Sequence, residues 1–266
     1  MITEGHLDKM ITNITDNVVH YQLPVDNDHI NLNDLIGKTI KLSYSGKIHC
    51  MHCGKQTKTS FGQGYCYNCY TTIPEADECI LFPEKCKAHL GISRDMEWSK
   101  NHCLTDHIVY LAYSGNLKVG VTRLTQVPTR WIDQGAIQSI QLALTPNRHI
   151  AGLIEVYYKQ HFSDKTSWQQ MLLTDKKNDL DLNSEKKRAV DLMPAGLKKY
   201  IHENNNIFEF HYPMTKKPQN ITSVNFNKSD KIGGKLTGIK GQYLVFDNEF
   251  VINMRSHRGY LVKIEY

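Results

Sequence analysis

"HIVYLAYSGNLKVGVTR", residues 107–123, decides how the middle of the chain folds. It holds two short apolar runs, "HIVYLAYSG" and "NLKVGVTR", joined at Gly115-Asn116, a pair suited to a tight turn. The stretch therefore predicts a β-hairpin. Downstream, "VPTRWIDQG" offers Pro128 for an early helical position and Gly135 for a C-cap. "AIQSIQLAL" predicts a further strand. "HIAGLIEVYYKQHF" carries apolar residues at helical spacing, and "SDKTSWQQMLL" opens on a Ser163/Asp164 cap signal. The order strand, strand, helix, strand, helix, helix thus fills residues 106–175.

Upstream, "HCMHCGKQTKTSFGQGYCYNCY" spans 49–70 and contains Cys50, Cys53, Cys66 and Cys69 as two Cys-x-x-Cys pairs. Each pair sits on a tight turn that points both sulfurs one way. Zn²⁺ takes four soft ligands in a tetrahedron at about 2.3 Å, and two such turns face to face supply it. Gly54 suits the knuckle after the first pair, and Gly62 and Gly64 ease the turn between the pairs. Four thiolates fill the coordination shell, so this zinc is expected to be structural. A redox dithiol is the rival reading, against which two equivalent pairs argue. A second constellation comes next in Cys79, Cys86, His89, His102, Cys103 and His107. Three cysteines and one histidine complete another tetrahedron; Cys79, Cys86, His89 and Cys103 are the favoured set, with His102 as the competing histidine. Small buried residues or a leftover thiol are the plainer alternative. One or two structural zinc ions are expected.

The flanks read as β-structure. "NVVHYQLPV" alternates apolar and polar residues, and "LIGKTIKLSYSGKIHC" adds two β-prone runs. The tail after Ile207 is again β-rich and punctuated by glycine. "INLNDLIGKTIKLSYSGKI" echoes "VNFNKSDKIGGKLTGIKGQY", which suggests ends that pack together, as one small barrel or sandwich, around inserted segments. The expected class is α+β. Its parts are a β-rich segment 1–48, a cysteine-rich zinc module 49–105, an α/β domain 106–175, a charged helical linker 176–206 and a β-rich domain 207–266.

The 266 residues carry 32 Lys and Arg against 27 Asp and Glu, a net +5 that permits an anionic partner such as nucleic acid. Seven cysteines crowded between Cys50 and Cys103 point to metal rather than to a disulfide framework. No run of eighteen apolar residues exists to span a membrane, and "MITEGHLDKMITNITDNVVHYQL" lacks a secretory h-region. These features predict a soluble cytoplasmic protein.

The hairpin and the elements downstream of it resemble the GIY-YIG nuclease superfamily, in its branch whose second motif reads Lys-Ile-Gly. Val109-Tyr110-Leu111 is similar to the first motif and Lys118-Val119-Gly120 to the second, with Thr122 two residues on. Arg130 stands at the helical arginine and Glu155 at the metal-binding glutamate. Lys118 replaces the second-motif tyrosine, and the late asparagine has no counterpart. The resemblance implies a ββαβα domain, catalysis by Tyr110, Arg130 and Glu155, and Mg²⁺ or Mn²⁺ on Glu155. "TKTSFGQGYCYNCY", "RWIDQGA" and "GIKGQYL" also resemble a whole-length bacterial zinc-binding family of unknown function.

The chemistry is coherent on its own terms. Phosphodiester hydrolysis needs an activated nucleophile, charge stabilisation at phosphate and usually a divalent cation. A tyrosine or its bound water suits the first role, an arginine fork the second, and a glutamate the third. Lys118 and Arg123 are candidate further phosphate contacts. The expected activity is that of a divalent-metal-dependent nuclease, a hydrolase. The alternative is a protein of the same fold that binds RNA or DNA without cleaving it.

Overall fold

The computed structural model describes residues 1–162, 167–175 and 180–266, and they form two compact units. One unit comprises residues 1–71 and 211–266, the other residues 72–210. The boundary at 71/72 divides the cysteine-rich stretch, so each cysteine cluster lies inside its own unit.

The first unit begins with β1 (Ile2–His6), β2 (Ile11–Thr15), β3 (Val18–Val25) and β4 (Asp28–Asn31). Strand β3 alternates in burial along its length, as "VVHYQLPV" requires of a half-buried strand. It pairs antiparallel with β2 and β4 in a three-stranded sheet. Asp16 and Asn17 turn β2 into β3 with φ of 50° and 64°, the left-handed geometry that two-residue hairpins demand. Strand β5 (Thr39–His49) and the short β6 (Gln56–Thr57) come next, then helix α1 (Tyr67–Thr72).

The second unit opens with a series of 3₁₀ turns and helix α2 (Met96–His102). The predicted hairpin forms as β7 (His107–Tyr113) and β8 (Leu117–Arg123), in register from His107 opposite Arg123 to Tyr113 opposite Leu117. Helix α3 (Thr129–Asp133), strand β9 (Gln138–Thr145), helix α4 (Arg148–Tyr158), helix α5 (Trp168–Leu173), helix α6 (Leu182–Leu192) and strand β10 (Ile207–Glu209) complete it. The Ser163/Asp164 cap signal lies outside the described residues. Helix α5 is capped by Ser167, whose hydroxyl accepts from the Gln170 N–H at 3.1 Å.

The sheet runs β10-β9-β7-β8, and β7 is buried along its whole length. Val109 and Leu111 join Ile140, Leu142, Ala151, Ile154 and Tyr158 in the main core of this unit. Leu182 and Ala189 of α6 belong to the same core, although the sequence reads 176–206 as a charged linker. Tyr110 lies instead with Trp131, their rings 5.6 Å apart, and Trp131 meets Phe208 at 5.0 Å. Helix α4 also packs on the turn Pro83–Lys85. Gly152 permits that approach, since a Cβ there would stand 2.1 Å from the Glu84 nitrogen.

The chain then returns to the first unit with β11 (Thr222–Ser223), β12 (Lys231–Lys240), β13 (Tyr243–Phe246), β14 (Phe250–Asn253) and β15 (Tyr260–Glu265). Their sheet is ordered β1-β15-β5-β12-β13-β14-β11, with β6 on β5. The two echoing segments thus meet as neighbours, Ser43 of β5 standing opposite Lys231 of β12. Of the expected barrel or sandwich, a closed barrel does not form among the described residues. The strand path ends at β1, paired only with β15, and at β11, a two-residue strand paired only with β14, so the sheet stays open. No described helix is long and apolar enough to cross a membrane.

Gly152→Ala would force the Glu84 backbone or α4 to move, and overpacking of this kind costs about 1–3 kcal/mol. Gly196 has nothing within 4 Å of its added Cβ. Urea unfolding should therefore show a lower midpoint for Gly152→Ala and little change for Gly196→Ala.

Candidate functional site

Three groups of chemically able side chains stand out. The first is built on the hairpin. Tyr110 on β7 faces Gly120 on β8, and a Cβ at Gly120 would stand 2.6 Å from the phenol oxygen. The glycine makes room for the ring. Helix α3 brings Arg130, with Gln134 at its end. With its amide oxygen toward Arg130, Gln134 accepts from Nε at 3.3 Å and Nη2 at 3.2 Å while its nitrogen donates to the Tyr110 hydroxyl at 2.8 Å. That orientation satisfies all three residues; the reverse sets the amide nitrogen against guanidinium donors.

Glu155 on α4 is within electrostatic reach of the same phenol. Its side chain is 14 % exposed and pairs with Lys159 at 3.8 Å. Burial pushes the Tyr110 phenol up to about 12, opposed by the Arg130 charge and reinforced by that of Glu155. Burial, and then Arg130, bring the Lys118 ammonium down to about 8. The enclosed Tyr110 phenol thus feels Arg130 and Glu155, and Lys118 feels Arg130.

The second group is the four-cysteine cluster. The sulfurs of Cys50, Cys53, Cys66 and Cys69 all lie within 4.8 Å of one another, with Cys53 and Cys66 3.9 Å apart. A zinc tetrahedron with bonds of about 2.3 Å has edges of about 3.8 Å. The backbone explains the fit. Gly54, at φ 70°, closes the first turn by donating to the Cys50 carbonyl at 2.9 Å. Cys69 rides on α1, one turn from Cys66, and Met51 donates to the Gly64 carbonyl to hold the two turns together. Burial works to raise the Cys50 thiol, but the backbone N–H groups of Cys53, Cys66 and His52 outweigh it and bring it down to about 6. Burial and the other three sulfurs push Cys69 up to about 12. Without a cation the four cannot ionise together; a zinc ion removes that conflict.

The third group is Cys79, Cys86 and Cys103, all buried and also within 4.8 Å of one another. Arg148, in the first turn of α4, donates to the Cys79 carbonyl at 3.2 Å and to the His102 carbonyl at 3.0 Å. Its Nη1 also lies 3.9 Å from the Cys79 sulfur. Hydrogen bonds from the Cys79 and Cys86 thiols, helped by the Arg148 charge, hold Cys103 well below the ordinary thiol range. No histidine nitrogen among the described residues joins this group. His89 stacks on His149 at 4.4 Å, and His102 stacks on Trp98 with Nδ1 2.8 Å from the Trp98 carbonyl. Thus neither candidate for the fourth ligand completes the tetrahedron. His107 sits nearby with Nδ1 2.7 Å from the Thr105 carbonyl, its Nε2 buried and without a hydrogen-bond partner among the described residues.

A family described as a protein of unknown function, DUF2797, matches residues 37–262. The chain belongs to this family. No curated protein and no solved structure matches it. The DUF2797 match spans both cysteine clusters and the Tyr110 group. Both clusters of this DUF2797 chain can hold zinc.

Arg123, read as a phosphate contact, is at the far end of β8 from Lys118. Burial and Arg148 lower its pKa while Cys103 raises it, so its electrostatic neighbours are those of the three-sulfur group. Two residues escaped the sequence reading. Gln134 looked like part of a helix ending. Arg148 carried a usable signal: a cation in the first turn of a helix opposes the macrodipole and needs another reason to be there.

Metal analysis of the purified protein should return at least one zinc per chain, and Cys53→Ser together with Cys66→Ser should lower the content by one. Protons compete with zinc for thiolates, so the bound metal should be released as pH falls and retained as it rises. Metal-free protein with native unfolding behaviour would contradict the assignment.

Proposed function

We propose that this protein processes nucleic acid and that the Tyr110 group is a phosphodiester site of the GIY-YIG type. The observation that supports the reading is Arg130 from α3, joined to Tyr110 through Gln134, with Glu155 of α4 acting on the same phenol and Lys118 of the paired strand within reach of Arg130. Arg130 would grip phosphate with its guanidinium fork, its plane steadied by the Gln134 oxygen. Lys118 adds a second cation at neutral pH. Glu155 offers a hard oxygen donor of the kind Mg²⁺ or Mn²⁺ takes, one or two carboxylates with several waters retained. When bound, such a cation would polarise the phosphate and lower the pKa of a coordinated water. Tyr110, whose hydroxyl accepts from Gln134, fixes the position of the amide that in turn orients Arg130.

A second reading is binding without turnover, and one observation favours it. The Tyr110 hydroxyl is enclosed and its phenol stays protonated to about pH 12, which suits a positioning residue better than a nucleophile.

Cleavage assays on plasmid DNA and structured RNA with Mg²⁺ or Mn²⁺ separate the two. The nuclease reading expects Arg130→Ala to lower the rate about 100-fold or more, the range for loss of one charge-stabilising donor, and Glu155→Ala to abolish cleavage. The binding reading expects no cleavage with any metal but an affinity that falls steeply with salt. Under either reading Lys118 should contribute to phosphate affinity below about pH 8 and cease to as pH rises through that value. Absence of any nucleic-acid binding at low salt would remove both.

A further inference from the structure

Cys79, Cys86 and Cys103 supply only three of the four donors that a zinc tetrahedron requires. The surroundings indicate where the fourth must come from. Arg148 occupies one side of the trio, held there by the Cys79 and His102 carbonyls. On another side all three cysteines line a cleft of about 460 Å³ that also touches Ser93, Lys87 and Arg94. Neither Arg148 nor any histidine lines that cleft. His89 and His102 have their rings stacked elsewhere, on His149 and on Trp98, and His107, with its buried Nε2, is not within 4.8 Å of all three sulfurs.

We infer that Cys79, Cys86 and Cys103 form a zinc centre whose fourth coordination position opens into this cleft and takes an exchangeable small thiolate from solution. Three thiolates on Zn²⁺ leave one net negative charge, and the Arg148 guanidinium beside them offsets it. An arriving thiolate would add another negative charge. Of the charged groups lining the cleft, Arg94 is engaged by Asp77 at 3.3 Å and Lys85 by Glu78, which leaves the ammonium of Lys87 to meet it. In the exchange a coordinated water leaves, the Zn–S bond forms and the thiol proton passes to solvent. Catalytic zinc sites differ from structural ones in this one respect, an open position. The centre is separate from the Tyr110 group, so this inference stands or falls independently of the function proposed above.

The full-length protein loaded with Co²⁺ provides the test, since thiolate-to-cobalt charge-transfer and ligand-field bands report the donor set. Two cobalt ions per chain are expected, one lost in Cys79→Ser. Titration of the wild-type protein with 2-mercaptoethanol should shift the ligand-field bands of that second ion and strengthen the charge-transfer band. The spectrum before thiol should be unchanged in His89→Ala, His102→Ala and His107→Gln. A single metal per chain, bands that ignore the thiol, or bands altered by any one histidine substitution would overturn the inference. The wild-type titration alone decides the matter if a variant fails to fold.

Discussion

The second unit is assembled on a position that has no side chain. Gly152 lets the backbone at Pro83 and Glu84 lie against α4, closer than any Cβ allows. With that approach fixed, His149 one turn earlier reaches the Glu84 carbonyl at 2.7 Å, and Arg148 beside it reaches Cys79 and His102. The opposite face of the same helix, at Ala151, Ile154 and Tyr158, seals the core against β7 and β9. Helix α4 therefore serves two neighbours that differ in kind: an apolar sheet and a sulfur cluster threaded through 3₁₀ turns. Neither could be placed accurately without the other.

This arrangement explains the unusual chemistry at the start of α4. A guanidinium there lies at the positive end of the helix dipole, an unfavourable place worth some tenths of a kcal/mol. The Cys79 and His102 carbonyls, with the Cys79 sulfur 3.9 Å away, give the guanidinium its reason to be there. Asn147 supplies the ordinary cap, accepting from the Ile150 N–H at 3.0 Å, so Arg148 is released from any duty to the helix itself.

How much of this was legible in the sequence depends on how local each feature is. Cys50, Cys53, Cys66 and Cys69 announce themselves because two tight turns place the sulfurs, and turns are written in neighbouring residues. The hairpin at Gly115-Asn116 and helix α4 were readable for the same reason. Cys79, Cys86 and Cys103 follow no periodic pattern, and their partner Arg148 comes from a helix beyond three strands. Spacing alone drew His89 into that set; stacking on His149, which no spacing reveals, draws it out. Similarly, Tyr110, Arg130 and Glu155 were singled out as candidates by motif resemblance, while Gln134, which ties Tyr110 to Arg130, belongs to no motif. Of the barrel or sandwich expected of the β-rich ends, no closed barrel forms among the described residues, because closure depends on pairings between strands far apart in the chain.

The return of the chain to its first unit has a consequence for biosynthesis. Strand β5 finds β12 and β15, its two long neighbours in the sheet, only in the last part of the sequence, beyond the whole of the second unit. A nascent chain must hold the Ile40 and Leu42 stretch of β5, beyond its short pairing with β6, without strand neighbours until that last part has been made. Loop closure across a flexible intervening segment grows by only about 0.6 kcal/mol for each doubling of its length. Time, rather than free energy, is then the difficulty. Residues 72–210 can fold while they wait, because all their strand pairings lie among themselves. Co-translational folding from the inside outward is the order this topology favours, with the segment between the two halves of the sheet compact before the sheet is complete.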